Sequence, residues 1–143
     1  MKLRLLSLLA LAAAFLAACS GSSASSQPVE IMLQASGMTY QQATIEVTAG
    51  QPVKLTFQNT DALEHDFSIM EIPVAMMGAT QEAMPGHDMS GMANAPELHV
   101  AAMMNQTSTL EFTPTKPGTY EFFCTVAGHK EAGMKGTLIV KQP

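Results

Sequence analysis

The chain has 143 residues, 47% of them hydrophobic and 13% charged, with no Trp and a formal net charge of −5. That length suits one domain, and 7 Lys and Arg against 12 Asp and Glu leave no basic patch for a nucleic-acid partner. The one unusual feature of the composition is its 12 methionines.

In chain order, the first segment differs from everything after it. Lys2 and Arg4 precede an apolar run from Leu5 to Ala18 broken only by Ser7, the charged-then-apolar layout of a secretory signal. A spanning helix needs about 20 apolar residues, and this run is shorter and ends in a Ser-rich stretch. The segment "LAAC" resembles the lipobox of bacterial lipoproteins, which makes residues 1–18 a signal peptide and Cys19 the lipid-bearing residue. Residues 19–28, "CSGSSASSQP", read as a flexible tether reaching about 15 to 18 Å from the membrane surface. Loss of Lys2 and Arg4 with the signal takes the formal charge from −5 to −7. The expected product is an acidic, exported, membrane-anchored domain in the periplasm or cell envelope. With Cys19 assigned to the anchor, Cys124 is solitary, and a lone thiol in an oxidising compartment is usually protected by burial or by a metal.

Residues 29–143 form the domain proper. Short runs separated by turn residues predict strands over 29–35, 43–50, 52–59, 65–72, 97–103, 107–114, 118–124 and 136–141. Strict alternation turns Ile45 and Val47, then Val53, Leu55 and Phe57, toward one interior. Eight such strands predict an all-β protein, an antiparallel Greek-key sandwich or barrel. "TKPGTYEF" adds a Pro-Gly turn followed by Tyr120, the arrangement of a tyrosine corner. Residues 76–104 break the pattern: they hold seven methionines around "MPGHDMSGM", a long loop and an adjoining strand. Thioethers are soft ligands suited to Cu(I), so Met84, His87, Met89 and Met92 are candidate secondary Cu(I) ligands.

The last stretch carries the sharper signal. Cys124, His129 and Met134 lie five residues apart in "CTVAGHKEAGM", between two predicted strands. Tyr120, Phe122 and Cys124 share one parity, so the thiol faces the core, away from the open position that a cysteine nucleophile needs. Gly128 and Gly133 each precede a candidate ligand, where a free backbone helps a tight loop. One thiolate, two imidazoles and a weak axial thioether make a blue-copper set, and this loop supplies three of the four. His65, at a loop-to-strand junction, can reach over the end of the sandwich as the fourth. His99 reads as a structural histidine.

On these residues the chain resembles the cupredoxin family, type 1 blue copper domains of the plastocyanin and azurin kind. "GTYEFFCTVAGHKEAGMKGTLIV" is most similar to the Cys-x4-His-x4-Met form of sulfocyanin and auracyanin. The resemblance implies one copper held by His65, Cys124, His129 and Met134, no enzyme activity, and a monomeric one-electron carrier. It implies docking near His129, among Val126, Ala127 and Ala132, with a redox protein or a respiratory or photosynthetic membrane complex. It also sets Phe123 outward beside the thiolate, on a second electron route. Asp66 stands where the family commonly has Asn, placed to bond Thr125 and to bring charge close to copper. The alternative role is copper handling: Cu(I) buffering, delivery or resistance through the Met/His-rich loop.

Overall fold

A computed structural model describes residues 27–75 and 94–143. The expected signal peptide, the lipidation residue Cys19 and the segment with Met84, His87, Met89 and Met92 lie outside the described residues.

Among the described residues, ten strands form two five-stranded sheets. They are β1 (Val29–Ser36), β2 (Thr39–Tyr40), β3 (Thr44–Thr48), β4 (Val53–Asn59), β5 (His65–Ile69), β6 (Val74–Ala75), β7 (Leu98–Ala102), β8 (Thr107–Pro114), β9 (Gly118–Phe123) and β10 (Lys135–Lys141). One sheet has the order β2-β1-β4-β8-β6, the other β3-β10-β9-β5-β7. All eight expected strands are present, and the architecture is the expected β-sandwich. Two details differ from the expectation. Two-residue strands β2 and β6 are too short to show a period, and the ladders β1/β4 and β3/β10 run parallel where antiparallel pairing was expected. Alternation encodes which face a residue takes and is silent on strand direction.

The alternating strands bury the faces their sequence marks. In β4, Val53, Leu55, Phe57 and Asn59 are buried and the intervening residues are not. In β3, Ile45 and Val47 are buried. Strand β5 departs from the rule, since all five of "HDFSI" are buried. His65, Phe67 and Ile69 share one parity, while Asp66 and Ser68 occupy the other with a polar network of their own. An aromatic cluster fills the centre: Phe122 lies 5.1 Å from Phe67 and 5.2 Å from Tyr40, centroid to centroid, in tilted and edge-on contacts that aromatic rings favour. The Tyr120 hydroxyl donates to the Lys116 carbonyl at 2.9 Å, which is the expected tyrosine corner.

Three neighbouring strands carry the ends that matter. β5 begins, β9 finishes and β10 begins at one end of their sheet, bringing His65, Cys124 and Met134 to the same edge of the core. Gly136 is what lets β10 lie this close. A Cβ there would sit 2.2 Å from Cζ of Phe122 and 2.8 Å from the carbonyl oxygen of Ala43. Gly136→Ala should therefore destabilise the domain by about 1 to 3 kcal/mol through overpacking, measured by denaturant unfolding. A variant as stable as the parent would mean that the strand and ring separate without cost.

Candidate metal centre

The loop from Cys124 to Met134 is closed by its own backbone. The Cys124 amide donates to the Met134 carbonyl at 3.1 Å, and the Met134 amide donates to the His129 carbonyl at 2.9 Å. Further bonds from His129 to Val126, Ala132 to Gly128 and Gly133 to Lys130 wind the intervening residues into tight turns. Gly128 and Gly133 have φ of 82° and 103°, conformations that a side chain resists. The glycines before the two candidate ligands thus turn the chain as their placement implied.

Three donors converge at this edge. The Cys124 sulfur is 3.5 Å from Nδ1 of His129 and 4.0 Å from Nδ1 of His65, and the three donor atoms all lie within 4.8 Å of one another. The imidazole rings are 5.0 Å apart at 48°. Donor separations of 3.5 and 4.0 Å suit an ion sitting about 2.0 to 2.3 Å from each, the range of bonds from transition metals to imidazole nitrogen and thiolate. His65, Cys124 and Met134 are fully buried, and His129 keeps 5% exposure. Two imidazoles, a thiolate and a buried thioether are acceptable to both oxidation states of copper. The donor set fits the metal.

A polar shell surrounds it. The Asp66 carboxylate, 2% exposed, accepts from the Thr125 amide at 3.0 and 3.1 Å, from the Thr125 hydroxyl at 2.8 Å and from the Ser68 hydroxyl at 2.7 Å. The bond between Asp66 and Thr125 read from the sequence is therefore present. Asp66 also lies 3.7 Å from the Cys124 sulfur, so its charge does come close to the metal site. His99 stands apart from the donor triangle, with Nδ1 2.8 Å from the Ser68 hydroxyl and 3.9 Å from Asp66. On the other side, Nε2 of His65 meets the Asp61 carboxylate at 3.3 Å. Sequence reasoning missed Asp61 and Asn59; the spacing Asp-x-x-x-His was the available signal for the first. Phe123 is half-buried, with the Lys130 ammonium 3.8 Å from its ring centroid and paired at 2.7 Å with Glu121.

Burial first, and the nearby Asp66 charge second, push the Cys124 thiol from 9.0 up to about 11. An unfolded chain ionises this thiol near its ordinary value, so the contribution to stability is fully present below pH 9 and is lost as pH rises through about 11. Urea midpoints of the metal-free protein should fall over that window more steeply than those of Cys124→Ser. Equal slopes would show that the thiol is not held protonated by the fold.

Comparison with known proteins agrees with the geometry. A family model described as copper binding proteins, plastocyanin/azurin family, matches residues 27–141. The copper-resistant cuproprotein CopI of Rubrivivax gelatinosus is 31% identical over 121 residues, covering 85% of this chain and 71% of that protein. Auracyanin A of Chloroflexus aurantiacus, described as a blue copper protein, superposes with a TM-score of 0.59 at 25% identity, over 80% of this chain and 100% of that one. Reduced auracyanin from Roseiflexus castenholzii gives a TM-score of 0.62 at 25% identity, over 78% and 95%. With a family match over nearly the whole described domain and three buried donors spaced for one metal ion, the chain belongs to the plastocyanin/azurin family of copper-binding proteins.

Proposed function

We propose that this protein is an exported one-electron carrier whose single copper is held by His65, Cys124 and His129, with Met134 as the weak axial ligand. The observation that carries the reading is the convergence of two imidazoles and a lone buried thiol within 4.8 Å at a backbone-closed loop. Bound copper supplies one-electron exchange between Cu(I) and Cu(II). The chain's part is to hold the donors where both states accept them. Backbone bonds within the loop and the Asp66 contacts fix Cys124 and His129, and complete burial of His65 and Cys124 keeps water and foreign ligands away. Little then rearranges when the electron moves, which keeps the barrier low.

His129, the more exposed of the two histidines, is the natural edge for transfer. Beside it Val126 is half-buried, and Ala127 and Ala132 are exposed, a small apolar surface on which a redox protein or membrane complex can dock. A groove of about 480 Å³ is lined by Phe123, Val126 and Lys130 among others, and its position supports Phe123 as part of a second route. The lipobox-like "LAAC" supports tethering through lipid on Cys19 in the cell envelope. We assign it no enzyme activity, because the cysteine, the two histidines and the methionine are all taken as metal ligands.

A second reading has its own support. Relatives named as copper-resistant cuproproteins and the Met/His-rich segment with Met84, His87, Met89 and Met92 favour Cu(I) buffering or delivery. One titration separates the roles. One equivalent of Cu(II) should give an intense visible thiolate band that Cys124→Ser abolishes; a colourless wild type would sink the carrier. Retention of Cu(I) beyond one equivalent, lost on deletion of residues 85–96 with the band intact, would establish buffering. Saturation at one equivalent would remove that role.

A further inference from the structure

The turn before β5 does more than deliver His65 to the edge of the core. Its ring has two nitrogens: Nδ1 faces the Cys124 sulfur at 4.0 Å, and Nε2 faces Oδ2 of Asp61 at 3.3 Å. His65 is fully buried, while the Asp61 side chain is 25% exposed. Asp61 is held in place from several sides. Its amide donates to Oδ1 of Asn59 at 2.9 Å, and its own Oδ1 accepts from the Ala62 amide at 2.6 Å. Asn59, 1% exposed, in turn donates to the carbonyls of Leu63 at 2.7 Å and Ala102 at 2.9 Å, tying the turn to β4 and β7. A carboxyl group of ordinary acidity is an anion at neutral pH, and the contacts with the Ala62 amide and the His65 ring suit that form.

We infer that Asp61 is a positioning residue for the metal centre, a carboxylate that fixes the His65 ring as the Nε2–H tautomer and strengthens its Nδ1 as a donor. A carboxylate anion can only accept, so the proton of the neutral ring belongs on Nε2 and the lone pair on Nδ1 points toward Cys124. A carboxylate behind an imidazole ligand also raises its basicity, which favours the more highly charged ion. Asp61 therefore biases the centre toward Cu(II) and lowers its reduction potential. This inference rests on the copper reading above, but its first consequence concerns the metal-free protein.

Nitrogen-15 NMR of the histidine-labelled, metal-free chain should show His65 as a single tautomer, protonated at Nε2. In Asp61→Ala that preference should be lost, with far-ultraviolet circular dichroism unchanged. For the copper-loaded protein the informative variant is Asp61→Asn, which keeps an acceptor for the Ala62 amide and removes the charge. Its affinity for Cu(II) relative to Cu(I) should fall about tenfold, which reads as a potential about 59 mV higher. Glu71→Gln, beyond the far end of β5, should move the potential far less. The inference is overturned if wild-type His65 carries its proton on Nδ1 or populates both tautomers. It is equally overturned if Asp61→Asn and Glu71→Gln shift the potential alike. A wild type without a thiolate-to-copper band would remove the copper reading instead, and the metal-free tautomer would then decide the clamp alone.

Discussion

The centre depends on a cross-link between two segments that the sheet itself barely joins. β5 carries His65 and β9 leads into Cys124, yet their ladder registers a single pair, Ser68 with Phe123. Where the ladder stops, the Asp66 carboxylate takes over, accepting from the Thr125 amide and hydroxyl. Asp66 follows His65 and Thr125 follows Cys124, so this staple sets how far apart the first histidine and the thiol can lie. Burying a carboxylate is costly unless its lone pairs are filled, and three donor groups from Thr125 and Ser68 fill them. Hydrogen bonds to a charged group contribute about 1.5 to 3 kcal/mol each, more than a neutral acceptor would draw from the same donors. Its electrostatic consequence is a second anion near the thiol, beside the one that Asp61 sets behind His65.

The remaining architecture serves the same edge. Gly136 lets β10 close against Phe122, and the Cys124 amide bonded to the Met134 carbonyl completes the neck of the loop. Asn59 fastens the turn that carries Asp61 to two other strands. The Tyr40 hydroxyl, kept protonated by burial, donates to the carbonyl of Asp66 from the opposite sheet. The donors are thus held from both sheets, as a site that exchanges electrons with little rearrangement requires.

Much of this was legible in the sequence, and the gaps have physical reasons. Alternation in "TIEVT" and "VKLTFQN" marked inward residues correctly because those strands bury one face only. It does not describe "HDFSI", where both faces are covered and polar residues are as buried as Phe67. The spacing of Cys124, His129 and Met134 was readable because one short loop carries all three. His65, 59 residues from Cys124, was placed by its strand junction and by the family resemblance. Asp61 and Asn59 escaped notice since their importance lies in side-chain bonds across a turn, which no periodicity reports. Strand direction escaped as well: β1 lies parallel to β4, and β3 to β10, for reasons of chain path across the two sheets.

Everything above turns on one copper ion shared by His65, Cys124 and His129. Copper K-edge X-ray absorption fine structure on protein loaded with one equivalent tests it most directly. Two nitrogen scatterers and one sulfur scatterer are expected at about 2.0 to 2.3 Å, with the sulfur lost in Cys124→Ser. A first shell of nitrogen and oxygen alone, or one dominated by several thioether sulfurs, would contradict it.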